Sequence, residues 1–380
     1  MAGATTAPAA PTPSEPSPAE PRFRALGWLR PATTPALAVV FGLILGAILM
    51  VSVGANPLDA YAAMLDGALG SSDALGRSLE KATPLVLGGL AVAFAFKAGL
   101  FNIGGQGQLL IGASFAAWAG FTFEMPAVLH IPFALLVGSV AAAALGGIVG
   151  WLRASRGTHE VISTIMLNYV AANFTDWLAS RGGPWYDPIA TNPSQLARTP
   201  LVNESAEIPR LGGLPLGFLV AVAAAIACWW LIERTTTGFE IRTVGSNRHA
   251  AKYAGIKVAR ITVLAMAISA FLAGLGGGIE TLGVVGRFEP GFNIGLGFEG
   301  ITIALLAKTN PLAVVPAALL LGAMDAGSSL MQARTTVEPE IIQVIQAFIL
   351  LFVAAPAVVR WIIRRRHEEE RIELTTGWGG

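Results

Sequence analysis

Apolar residues in this chain fall into long, nearly unbroken blocks, separated by short polar stretches rich in Gly, Pro, Arg and Lys. Ten blocks stand out, at 34–54, 82–98, 104–121, 131–152, 159–180, 212–232, 260–283, 294–307, 311–331 and 340–362. A bilayer core about 30 Å thick needs about 20 apolar residues per helix, and the blocks are too long for barrel strands. Only structures that satisfy every backbone hydrogen bond internally survive in lipid. The pattern therefore predicts an all-α, polytopic membrane protein of about ten transmembrane helices.

Composition agrees. Of 380 residues, 54% are hydrophobic and only 13% are charged, where a soluble domain carries about a quarter charged. Mean hydropathy is +0.62. The net charge of +1 gives no field that would attract nucleic acid. Cys228 is the single cysteine, which excludes a disulfide within the chain. The four histidines are scattered, and no Cys/His cluster has metal-ligand spacing.

Charge placement sets the expected orientation. The first 21 residues are rich in Ala, Pro, Thr and Ser without an apolar core, so they predict a disordered tail rather than a cleavable signal. Arg22, Arg24 and Arg30 follow, which puts the N-terminus in the cytoplasm. With ten crossings, 18 of the 25 Lys and Arg fall on that side and seven on the other. This bias follows the positive-inside rule and places both termini in the cytoplasm. The domains expected are a tail at 1–30, a transmembrane domain at 31–363 and a second tail at 364–380. Two long connections, 55–81 and 181–211, fall outside. The second holds Pro184, Trp185, Tyr186, Pro188, Asn192 and Pro193 and predicts an irregular cap.

Polar interruptions carry the candidate chemistry. The second, third and eighth blocks are short and border glycine-rich breaks. Phe101-Asn102-Ile103-Gly104 recurs as Phe292-Asn293-Ile294-Gly295, near opposite sides of the membrane. Short, Gly-interrupted segments in corresponding halves point to a transport site and an inverted repeat, with blocks two to five related to blocks seven to ten. Asn102, Gln106 and Gln108 in the first break either shape the translocation path or satisfy backbone groups freed by the break. Asn168 and Asn173 lie inside an apolar helix; their amides suit a ribose hydroxyl or base edge, and equally a neighbouring helix. Glu280, Glu299 and Asp325 are acids in or beside spans, where each needs a partner. Arg287 is offered as a partner for Glu280 or Glu289. Small residues repeat at spacing four in the fourth block (Gly138, Ala142, Gly146, Gly150) and in the seventh (Ala270, Gly274, Gly278), which predicts close helix packing.

The inner loop 233–259 is the most charged internal stretch. Asn247 is a good N-cap and Gly255 a good stop, so 248–254 predicts a short helix. Ala250, Ala251, Tyr253 and Ala254 give it a small, partly apolar face suited to a groove on a soluble partner; the alternative is a solvated basic loop. There is no P-loop and no catalytic triad, so the chain is not expected to hydrolyse ATP.

Four segments carry a family resemblance: FKAGLFNIGGQGQLLIGA (96–113), GTHEVISTIMLNYVAANF (157–174), TTTGFEIRTVGSNRHAAKYAGI (235–256) and GRFEPGFNIGLGFEGITIALLAKTNPL (286–312). They resemble the branched-chain amino acid/simple-sugar class of ABC permeases, and within it the permease subunits of nucleoside uptake systems. The resemblance implies a type II importer-like fold that forms half of a translocation pathway in a prokaryotic cytoplasmic membrane. It implies as partners a second, similar but distinct permease, a cytoplasmic ATPase that holds ATP and Mg, and an extracytoplasmic solute-binding protein or lipoprotein. No cofactor is expected in this chain itself. Asn102, Gln106, Gln108, Asn168, Asn173 and Glu299 would border the pathway. Asn247, Arg248, Ala250, Ala251, Tyr253 and Gly255 would form the coupling helix. The alternatives are a permease for simple sugars or another small solute, and an ion-coupled secondary transporter. The latter would need Glu280, Glu299 or Asp325 buried and unpaired.

Overall fold

Each of the ten apolar blocks forms a helix in the computed structural model, which describes residues 30–187, 197–292 and 295–354. They are α1 (Arg30–Ser52), α3 (Ser72–Lys97), α4 (Gly105–Thr122), α5 (Ala127–Arg156), α6 (Glu160–Ala179), α7 (Leu216–Arg234), α10 (Val258–Glu280), α11 (Leu296–Leu306), α12 (Pro311–Arg334) and α13 (Glu340–Ala354). Three further helices lie between them: α2 (Pro57–Leu69), α8 (Thr236–Ser246) and α9 (Arg248–Tyr253). The only strands among the described residues are a two-residue antiparallel pair, β1 (Arg210–Leu211) and β2 (Leu214–Pro215). Of the tail expected at 1–30, only Arg30 is described. The tail at 364–380 and the end of the tenth block lie outside the described residues.

Six helices are long and apolar enough to cross a bilayer unaided: α1, α3, α5, α7, α10 with its extension to Val285, and α12. Their outward surfaces are greasy. On α1, Val40, Ile44, Ile48 and Val51 form an exposed stripe at helical spacing. On α5, Leu136, Val140, Ile148 and Trp151 do the same. Water would penalise such stripes, whereas lipid covers them. The chain is a multi-pass membrane protein.

One expectation needs correction. The second block is not short: α3 runs 26 residues and starts ten residues before the apolar run. Ser71 caps it, accepting a hydrogen bond from Ala74 N at 3.1 Å. The helix continues through Arg77, Glu80 and Lys81 because these charges line a cavity instead of facing lipid; Glu80 also pairs with Arg210 at 2.6 Å. The outer connection 55–81 contains a helix of its own. Asn56 accepts from Leu58 N at 3.0 Å, and Pro57 opens α2. The connection 181–211, by contrast, is an irregular cap where it is described. Its backbone binds the ends of other elements: Asn203 N to Gly120 O, Val202 N to Gly286 O and Ile208 N to Leu282 O, each 2.9 Å.

The helices pack by small residues. Along α5 and α10, Gly146 lies against Ala270 and Gly150 against Val263, as the four-residue spacing predicts. Gly112 of α4 crosses Gly274 so closely that a Cβ on Gly112 would sit 2.3 Å from Gly274 Cα. The order of contacts also recurs. Helix α10 packs on α5 and α4, while α3 packs on α12 and α11; α6 lies on α4, and α13 lies on α11.

Candidate functional site: a polar knot at two interrupted helices

After Lys97 the chain leaves α3, turns through Gly99, and runs non-helically to Gly104, where α4 begins. A helix start leaves its first N–H groups without partners, and Gly104 has no side chain with which to cap them. The caps come from elsewhere. Asn168 of α6 accepts from Gly107 N at 2.9 Å and donates to Ile103 O at 2.9 Å. The start of α11 has the same problem, since its N-cap is Gly295. There Gly297 N donates to Gln106 Oε1 of α4 at 2.9 Å. Each glycine-capped helix start is therefore capped in trans, and the two starts meet. A Cβ on Gly297 would lie 2.2 Å from Gln106 N, so only glycine permits the approach.

Asn102 holds the break together. It is 1% exposed. Its Nδ2 donates to Gln108 Oε1 (2.8 Å) and to Ser269 Oγ of α10 (2.7 Å). Its Oδ1 accepts from Gly104 N (2.9 Å) and Gln108 Nε2 (3.2 Å). Ser269 in turn donates to Ala91 O of α3 at 2.6 Å. Below this knot, Glu160 is buried; it accepts from Phe101 N at 3.4 Å and pairs with Arg153 at 3.2 Å.

Four of the expected site residues thus come together: Asn102, Gln106, Gln108 and Asn168. Their amide groups are largely taken up by protein partners. Asn173 stands apart on the exposed face of α6, where its Nδ2 donates to Tyr169 O at 2.7 Å. Glu299 also stands apart, close enough to Lys81 and Asp325 to feel both charges. Asp325 accepts from Gln346 Nε2 of α13 at 2.8 Å. Together with Arg77, Glu80, Lys81 and Glu280, Asp325 lines a cavity of ≈430 Å³ between α2, α3, α10 and α12. Arg287 pairs with Glu289 at 3.6 Å. Ser269, Lys81, Gln346 and the Arg153–Glu160 pair were not singled out from sequence. Ser269 is one hydroxyl within an apolar run, and no local pattern marks it.

Helix α9 follows the capping chemistry of its sequence. Asn247 Oδ1 accepts from His249 N (2.9 Å) and Ala250 N (3.0 Å). Gly255 ends the segment with φ +82. Ala251 is buried, whereas Tyr253 is 93% exposed and Ala250 is exposed. The helix is seated by Ala251 and presents Ala250 and Tyr253 outward.

A helical membrane bundle with two broken helices knotted at their starts defines a class: the polytopic transport permease. The chain belongs to the family described as branched-chain amino acid transport system / permease component, which matches residues 74–354. It is 38% identical over 335 residues to the guanosine ABC transporter permease protein NupP of Bacillus subtilis, covering 87% of this chain and 94% of that protein. It is 34% identical over 356 residues to the nucleoside ABC transporter permease protein NupB of Lactococcus lactis, covering 91% and 97%. The glucose ABC transporter permease protein TsgB13 of Haloferax volcanii is 36% identical over 339 residues, covering 87% and 89%.

Proposed function

We propose that this chain is one of two permease subunits in an ATP-driven importer of nucleosides, and that it contributes half of the pathway. The observation that carries the reading is the meeting of two trans-capped helix starts, Gly105–Gln108 and Leu296–Gly297. Interrupted helices are tolerated in a membrane only where protein or a wet cavity satisfies their backbone, and they are the usual place for a solute path. The recurring contact order supports an inverted repeat that relates α3–α6 to α10–α13, giving ten crossings with α2, α8 and α9 outside the count. The positive-inside bias supports cytoplasmic termini.

The knot then positions the pathway, and the exposed face of α6 borders it. Tyr169 is 66% exposed and Trp177 55% exposed there, with Asn173 and Phe174 between them. Flat rings beside an amide suit a base that stacks and a ribose that hydrogen-bonds. This favours a nucleoside over a sugar. A second, distinct permease would close this face, and an extracytoplasmic binding protein would deliver the solute. Helix α9 would dock in the partner ATPase, which holds ATP and Mg, and transmit its motion by differential contacts. The ion-coupled alternative asks for unpaired buried acids. Asp325 instead accepts from Gln346 Nε2 and shares its cavity with Lys81 and Arg77, and Glu280 is not without a partner.

The test is competition in proteoliposomes that contain the whole importer. Labelled guanosine uptake should be displaced by other nucleosides and not by glucose. Tyr169→Ala should lower uptake while leaving the protein's elution profile intact. Displacement by glucose alone would overturn the nucleoside assignment, and unchanged uptake in Tyr169→Ala would remove α6 from the pathway.

A further inference from the structure

At the end of the bundle that carries α9, a groove of ≈440 Å³ opens between the last turn of α5, α9 and the first turns of α10. Its lining includes Arg153, Arg248, Lys252, Lys257, Val258 and Thr262, and no acidic residue. Arg153 is partly engaged, through Glu160 and through Nη1 to Thr158 O at 3.1 Å. No acid lies within ion-pair distance of Arg248, Lys252 or Lys257 among the described residues. Lys257 occupies the N-cap of α10 without a side-chain cap; Val258 N is taken by Ile256 O at 2.9 Å, and the next N–H groups of this 23-residue helix add positive potential to the same groove. Three like charges gathered beside a helix start repel one another unless an anion joins them.

The groove's position selects among anions. It lies one turn beyond Trp151, the last member of the greasy α5 stripe Leu136–Val140–Ile148–Trp151. An aromatic at the end of such a stripe marks the headgroup level of a bilayer. A molecule with a phosphate at one end and acyl chains at the other can place the phosphate among the cations and run its chains up α5. The groove is also set apart from the docking face of α9. Arg248 and Lys252, one turn apart, line it, while Tyr253 is exposed and is not among its lining residues.

We propose that this groove binds the phosphate of an anionic phospholipid and so ties α9 to α5 and α10. The proposal rests on the transporter reading only in setting this end of the helices at a bilayer surface. With a phosphate bridging Arg153, Arg248, Lys252 and Lys257, α9 would move with α10 rather than swing on residues 254–257. Bound anionic lipid would then raise the share of ATP hydrolysis that produces uptake.

The test is native mass spectrometry of the full-length chain in its assembled complex, released from nanodiscs of phosphatidylcholine with or without phosphatidylglycerol. The wild type should keep one phosphatidylglycerol per copy in preference to phosphatidylcholine. Each basic residue at an anionic surface accounts for about fivefold in affinity. Lys257→Gln should therefore weaken retention about fivefold and Lys252→Gln/Lys257→Gln roughly 25-fold, with Lys257→Arg restoring it. Because Lys252 and Lys257 are exposed, these variants are expected to elute as wild type. Equal retention of phosphatidylglycerol by wild type and double variant would overturn the proposal. So would absence of any preference in the assembled complex, which would give the groove to the ATPase. Displacement of the lipid by millimolar inorganic phosphate would identify a soluble anion as the occupant and overturn the lipid assignment. An effect on retention with normal uptake would leave the transport reading intact.

Discussion

Replacing Asn102 with Leu removes four hydrogen bonds at once, and the remainder of the knot shows what that costs. Gly104 N and both polar atoms of Gln108 lose their Asn102 partners, while Ser269 keeps its bond to Ala91 O. A buried polar group left unsatisfied costs about 1–3 kcal/mol. Bonds between membrane helices average only about 0.6 kcal/mol, so the lower end of that range applies. Three orphaned groups give a loss of about 3 kcal/mol for Asn102→Leu. Gln108→Leu orphans one donor and one acceptor of Asn102, which retains Ser269 and Gly104 as partners; about 1–2 kcal/mol follows. The double variant leaves only Gly104 N without its side-chain acceptor, so at the same rate per group it should cost about 1 kcal/mol rather than the sum of the single losses. The coupling of about 3 kcal/mol is far outside the scatter of independent sites. Reversible unfolding in mixed micelles with increasing detergent denaturant reads all three values. If the double variant equals the sum of the singles within about 0.5 kcal/mol, the amides do not form one closed network and the reasoning fails.

Gly297→Ala should lower folded yield and abolish uptake, because the new Cβ would meet Gln106 N at 2.2 Å; normal uptake would show that the two helix starts do not touch. Asn173→Leu, on an exposed face with a bond only within its own helix, should change stability by less than about 0.5 kcal/mol and still reduce uptake, which unfolding and transport assays separate. Tyr253→Asp, or deletion of 248–254, should leave the bundle folded and uncouple ATP hydrolysis from uptake; coupled uptake in either variant would remove α9 from the ATPase interface. Lys81→Met should destabilise the bundle by leaving Glu299 and Asp325 facing each other without their shared cation, and Lys81→Met/Asp325→Asn should recover part of the loss; an equal or greater loss in the double variant would show that Lys81 does not serve them.

Helix positions were legible because a bilayer imposes long apolar runs, and each of the ten runs is a helix. What escaped were helices and helix ends that lie outside the long apolar blocks. α2 and the first ten residues of α3 fell within an outer connection, the latter because Arg77, Glu80 and Lys81 break the hydropathy, although Asn56-Pro57 and Ser71 are ordinary helix-start signals. α8 hides in the same way behind Thr235, which accepts from Gly238 N at 3.0 Å. Within the site, the amides of 102–108 announced a break, and Asn247–Gly255 announced a capped helix. Their partners could not be read. Ser269 is 167 residues from Asn102 and Gly297 is 191 from Gln106, and no local pattern encodes contacts at such separations. The same limit explains Asn168 and Asn173. Five residues apart on one helix, they look alike in sequence, yet one caps α4 and the other faces outward.

The central claim is that this chain supplies half of a nucleoside path that is opened by an ATPase it does not itself contain. Uptake of labelled guanosine into proteoliposomes holding this chain, a partner permease, the ATPase and the binding protein tests it most directly. The account predicts uptake that requires ATP on the side of α9, survives ionophores that collapse proton and sodium gradients, and stops when 248–254 is deleted. Uptake that needs an ion gradient and continues without the ATPase would contradict it.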